Sequence, residues 1–232
     1  MESPLTLEVL KAIGQKDYAA AIAICDRALA GAPYDSSALM YKAMALTSAG
    51  RHADAIAVYD HAIAAAPTPK MKSSLHGTKA HALVKLGRAE EAIACAQWIP
   101  YLEPNDPLAW RSLAGIYIAL HRAQDAIATF DACIARMPNE PHAYGCKADY
   151  LLEAGYPGAA VPLYDYAIRL APQSSHFYVN RACACMKAGD RQGALATAWH
   201  AIQIDPKARD TLKTVSELKP LHADPEFMRL VG

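Results

Sequence analysis

The sequence has no surplus of either charge. Its 232 residues carry 23 Lys and Arg against 23 Asp and Glu, a formal net charge of zero. Nucleic-acid binding draws on an excess of basic side chains facing the phosphates, and none exists here, so no nucleic-acid partner is expected. Long apolar runs are also missing. No stretch approaches the roughly 20 uninterrupted apolar residues that a membrane-spanning helix needs, so no membrane insertion is expected. The opening residues, MESPLTLEVLKAIG, lack the basic start and sustained apolar core of a secretory signal. Phe is scarce, at three residues, whereas Ala, the best helix former, abounds. Helix is the favoured class.

Catalytic signatures are missing as well. There is no HExxH, no GxxxxGK[ST] loop, no GxGxxG after a strand and no GxSxG. Six cysteines occur without a CxxC pair, and most lie among Ala and Ile at helical spacing. They read as small reduced core residues of a cytoplasmic protein. Cys183 and Cys185 project about 200° apart on a helix, which disfavours a local disulfide. Of the nine histidines, His76 and His81 are five residues apart and fall on different helix faces. No Cys/His quartet has zinc spacing. No catalytic residue, metal or cofactor is therefore expected, and an enzyme using the histidines with a metal is the most distant reading.

What the sequence does contain is a period. Prolines recur at Pro33, Pro67, Pro104, Pro138, Pro172 and Pro206, with spacings of 34, 37, 34, 34 and 34. Seventeen residues before each proline stand Lys16, Gly50, Gly87, His121, Gly155 and Gly189. Five residues after that column stand Ala21, Ala55, Ala92, Ala126, Ala160 and Ala194. Each unit then reads as two helices. Gly closes the first by taking a left-handed backbone, and Pro stops the second. The alanines let the paired helices approach closely. One such hairpin cannot bury its apolar face alone, but stacked copies can.

These columns resemble the tetratricopeptide repeat family. The fourth unit carries the pattern most fully, as Trp110-x2-Leu113-Ala114-x2-Tyr117, then Ala126-x3-Phe130 and Pro138. The resemblance spans about residues 3 to 206. It implies an all-α, right-handed α-solenoid of about six helix-turn-helix repeats, at about 2–34, 35–68, 69–106, 107–140, 141–174 and 175–206. Residues 207–232 would form a C-terminal helical cap. Three departures are visible. Lys16 replaces the first loop glycine, and Pro100 lies inside a second helix, where it should kink the axis. The 37-residue spacing inserts three residues near Pro69, read either as an added helical turn or as a hinge. In the cap, Arg209 to Lys219 suits one amphipathic helix, and Asp224-Pro225 opens a short second one.

An ion-pair ladder runs through the units. Eight residues before the loop column stand Lys42, Lys79, Leu113, Lys147 and Arg181. Ten residues after it stand Asp26, Asp60, Gln97, Asp131 and Asp165. Matching each acid to the base of the next unit gives four charge pairs, and the uncharged Gln97 meets the uncharged Leu113. The second helix of one unit should therefore neighbour the first helix of the next.

The resemblance also implies that first helices line a concave groove that holds a peptide or helix of a partner protein. The candidate groove residues are Met40, Met44, His81, Arg111, Gly115, His142, Gly145, Asp149, His176 and Asn180. Gly77, Gly115 and Gly145 are expected to leave the floor open, and the methionines to offer adaptable apolar contact. Asp149 and Glu153, one turn apart, read as a solvated face rather than a catalytic pair. Chaperone-binding relatives grip a terminal carboxylate with Lys and Asn on adjacent first helices. Here only Arg111 and Asn180 qualify, two units apart, so that clamp is not expected. The reading is a cytoplasmic, bacterial scaffold or adaptor, with a self-assembling structural module as the alternative.

Overall fold

The computed structural model describes residues 4–232, and among them every regular element is a helix. The chain divides into two compact units, Met1–Thr129 and Phe130–Gly232. The first unit runs through α1 (Pro4–Gly14), α2 (Tyr18–Gly31), α3 (Ser36–Ser48), α4 (His52–Ala65), α5 (Pro69–Lys85), α6 (Ala89–Ala96), α7 (Trp98–Leu102) and α8 (Pro107–Ala119). Helix α9 (Ala123–Arg136) leads into the second unit, which holds α10 (Pro141–Glu153), α11 (Pro157–Leu170), α12 (Ser175–Lys187) and α13 (Arg191–Ile204). The chain ends with α14 (Ala208–Thr214), a 3-10 helix at Ser216–Ala223, and α15 (Pro225–Val231). The all-α hairpin-repeat class expected from the sequence is what forms.

The backbone follows the punctuation. Each second helix stops two residues before its column proline: α2 at Gly31, α4 at Ala65, α7 at Leu102, α9 at Arg136, α11 at Leu170 and α13 at Ile204. All six loop residues have positive φ, including the two without a glycine's freedom: Lys16 at 60° and His121 at 58°. Asp35, Asp106 and Asp190 cap the helices that follow them by accepting backbone N–H bonds at 2.8–3.1 Å, which satisfies donors a helix start leaves open. The six column alanines are completely buried.

Two irregularities have a proline at their source. Pro100 has no N–H to give Ala96, and the helix breaks at Gln97, separating α6 from α7. Pro69 sits in the first turn of α5, whose N-cap Thr68 accepts from the Met71 N–H at 3.2 Å. Helix α5 has 17 residues where α3, α8, α10 and α12 have 13. The inserted residues are an added turn, not a hinge. The cap departs from expectation. The single helix expected over Arg209 to Lys219 is interrupted at Val215, which is extended, and continues as the 3-10 helix containing Pro220. That proline cannot donate to Ser216, so the wider α-helical ladder is lost there. The second cap helix forms as α15, capped by Asp224, which accepts from Glu226 and Phe227 at 2.9 and 3.4 Å.

The ladder forms in full. Lys42–Asp26 and Arg181–Asp165 lie at 2.6 Å, and Lys79–Asp60 and Lys147–Asp131 are paired likewise. Each base is half-buried and each acid more exposed, so water screens the pairs only in part. A second recurring contact went unread in the sequence. Trp110 Nε1 donates to the Pro104 carbonyl, Tyr144 Oη to Pro138 and Tyr178 Oη to Pro172, at 2.9–3.1 Å and always six residues back. The aromatic thereby ties the proline turn to the helix that follows it.

Candidate partner-binding faces

In the second unit, the structure brings together Asp149 of α10 with His176 and Asn180 of α12. Asn180 Nδ2 donates to Asp149 Oδ1 at 3.1 Å and lies 3.3 Å from His176 Nε2. The Tyr164 hydroxyl of α11 donates to the same Asp149 oxygen at 2.7 Å. Burial holds the Tyr164 phenol well above its usual range, reinforced by the Asp149 carboxylate beside it, so Tyr164 remains a donor. With two donors on one Asp149 oxygen, Asp149 Oδ2 and Asn180 Oδ1 are left as acceptors. They line a recess of about 250 Å³ that also includes Glu153, Cys183 and Lys187.

Tyr164 was not anticipated. It occupies the place of Phe130 in the preceding second helix, and its ring is just as buried. A hydroxyl at such a site needs a polar partner. That requirement is the only sequence signal that pointed to it.

His142 and Gly145 sit differently from expectation. His142 is exposed, and its Nδ1 lies 2.9 Å from Glu140 Oε1, its ring edge-on to Phe177 at 5.3 Å. Gly145 does not leave open floor. It is buried, and a Cβ built there would lie 2.8 Å from Phe177 Cε1. The missing side chain makes room for the Phe177 ring of α12, not for a ligand.

In the first unit, His81 lines a recess of about 350 Å³ with Ser74, Gly77, Thr78, Ser112 and Lys70. His81 Nδ1 is 2.9 Å from the Gly77 carbonyl. A carbonyl only accepts, so Nδ1 is the donor in this contact. Gly77 is in ordinary contact with Ile99, at 3.6 Å from a built Cβ, whereas Gly115 has open space there. Arg111 is exposed on α8, and Met44 on α3. Met40 is part-buried against the Leu39 and Leu75 cluster, a packing residue more than a contact surface.

All six cysteines are buried, and burial raises the thiols of Cys25 and Cys95 to about 11 and that of Cys183 to about 12. Thiols so far above neutrality hold little of the thiolate that nucleophilic chemistry uses. Among the described residues, no group of three His, Cys, Asp or Glu gathers as a metal site, and no helix is long and apolar enough to cross a membrane.

Family models described as tetratricopeptide repeat match residues 12–76, 78–141 and 147–209. The chain belongs to the tetratricopeptide repeat family. Among solved structures this tetratricopeptide repeat protein is similar to pilF of Pseudomonas aeruginosa, at 17% identity and TM-score 0.53 over 94% of this chain and 95% of that one. It is similar to a tetratricopeptide repeat protein of Parabacteroides merdae at 16% identity and TM-score 0.52, over 98% and 96%. It also resembles a thermophilic repeat protein of Thermus thermophilus at 24% identity and TM-score 0.50, over 79% and 97%. Identities this low speak to the fold alone. No curated protein sequence matches the chain. Tetratricopeptide repeats are typically non-enzymatic, and this chain is a protein–protein interaction module.

Proposed function

We propose that the protein is an adaptor of the bacterial cytoplasm that holds a peptide or helical segment of a partner on the faces lined by its first helices. The observation that carries this reading is the Asp149 arrangement. Tyr164 and Asn180 fix one carboxylate oxygen and leave the other, with the Asn180 carbonyl, as acceptors in a recess. A polar group already held in place orders less on binding and so orients a ligand at lower entropic cost. The recess of the first unit supplies hydroxyls and the His81 imidazole in the same manner. The six reduced, buried thiols suit a reducing compartment.

The test begins with partners captured from native extract and continues as titrations of one purified partner. Gly115→Trp fills open space in the first unit, and Asp149→Ala removes the fixed carboxylate in the second. Each variant, with wild-type helicity by circular dichroism, should bind about 10-fold or more weakly, the loss expected when one well-placed contact of about 1.4 kcal/mol goes. Unchanged affinity in both folded variants would move the binding surface off these faces.

A further inference from the structure

A cavity of the second unit lies away from the Asp149 recess, between α13 and α15. It measures about 660 Å³, within the roughly 300–1,000 Å³ of ligand pockets. Its apolar wall is Leu195, Trp199 and Leu230, with the Trp199 indole 48% exposed. Its rim is charged. Arg191 is tied to Asp224 and lies 3.8 Å from Glu226. Arg229 is different. Its Nε donates to the Pro225 carbonyl at 3.2 Å, and no carboxylate pairs with it among the described residues. The cleft therefore asks for apolar side chains beside one negative charge.

Helix α1 presents that chemistry. Val9 and Ala12 face its own core, but Leu7 and Leu10 are 57% and 40% exposed, one turn apart on a single stripe. Glu8 and Lys11 flank that stripe, both exposed and without an ion partner among the described residues. The charges match in order as well as sign. Glu8 and Lys11 are three residues apart on α1, and Arg229 and Glu226 are three residues apart on α15, about 4.5 Å along each helix. Laid antiparallel, α1 sets Glu8 against Arg229 and Lys11 against Glu226 while the leucines enter the cleft.

We propose that the cleft between α13 and α15 receives helix α1 of a second copy of this chain. The contact uses different surfaces on its two sides, so it is heterologous: each copy keeps one free α1 and one free cleft, and association continues head to tail. Two leucines and one indole make a small apolar contact, so the association is weak and dependent on concentration.

Sedimentation equilibrium from low-micromolar to near-millimolar protein tests this. The wild-type average mass should climb past two chains. Leu10→Glu and Trp199→Glu should each stay at one chain, because each destroys one side of the contact. Mixed in equal amounts they should form a species of two chains and no more, since one intact cleft then meets one intact α1. The swap Glu8→Arg should lose association, and Glu8→Arg with Arg229→Glu should regain it. All four positions are on the surface, and circular dichroism confirms that each variant is folded. Three results overturn the proposal: a wild-type protein of one chain throughout, association that persists in both single variants, or a folded mixture that stays at one chain. None of these readouts involves the partner-binding faces.

Discussion

Lys16 and His121 carry β-carbons into a backbone region that four glycines otherwise occupy in this chain, at φ values of 60° and 58°. For an L-residue that conformation costs roughly 1–2 kcal/mol. Glycine removes the clash but loses roughly 0.5–1 kcal/mol more than Ala in conformational freedom on folding. The clash is the larger, and His121 is exposed. His121→Gly should stabilise the protein by about 0.5–1 kcal/mol, raising Tm by about 1–4 °C in a melt followed by circular dichroism. A lower Tm would mean that the imidazole holds the loop. The cysteines make the opposite case, side chains whose surroundings determine their chemistry. Desolvation comes first in raising Cys25, Cys95 and Cys183, with the neighbouring Asp26 adding to it at Cys25 and Glu217 at Cys183. A thiol-specific disulfide reagent at mildly alkaline pH should leave all six unreacted in the folded protein and titrate six in denaturant, read by absorbance. Prompt reaction in the native state would reveal local opening around the affected helix.

Between helices, the acid of one unit and the base of the next act as a register mark. Arg181 donates from Nε to Asp165 at 2.6 Å and from Nη1 to Thr197 at 2.6 Å, with its side chain 24% exposed. Exposed pairs contribute about 0–1 kcal/mol, and this one, partly sheltered, belongs at the upper end. A double-mutant cycle on Asp165 and Arg181 in urea should give a coupling of about 0.5–1 kcal/mol, and the cycle on Asp131 and Arg181 close to none. Equal couplings would remove the nearest-neighbour reading. This ladder, the proline stops and the left-handed loops were legible in the sequence because each depends on a residue's own backbone or charge, repeated at a fixed interval. Space is not written that way. A glycine reads the same whether its place is empty, as at Gly115, or filled from the first helix of the next repeat, as Phe177 fills Gly145. The Asp149 arrangement was half legible. Asp149, His176 and Asn180 fall on first helices by spacing, but Tyr164 reaches them from a second helix, which spacing alone assigns to the core. The break at Val215 was hidden by an apolar pattern that suited an unbroken helix up to Lys219, the residue before Pro220.

Across the whole molecule the buried residues form a series of local clusters rather than one centre. Val9, Ala21 and Cys25 make one, Leu39, Tyr59 and Leu75 another, and Ala80, Ile99 and Ile116 a third. In the second unit, Tyr164 and Phe177 anchor one cluster. The cap residues Leu212, Leu218, Leu221 and Phe227 complete another on Val179, Cys183 and Leu195. Stability in such a chain is close to a sum of local terms and nearest-neighbour contacts, so damage should spread only as far as the contacts do. Phe227 tests this because its ring is fully buried yet it sits at one end, on a helix of seven residues. Phe227→Ala should cost about 3–5 kcal/mol within its cluster by lost transfer energy and the cavity left behind. Hydrogen exchange followed by mass spectrometry should then show protection falling most in α14, the 3-10 helix and α15, less in α12 and α13, and unchanged in α1 to α4. Uniform loss along the chain would show instead that the protein unfolds as one unit, with coupling between repeats strong enough to erase the local differences.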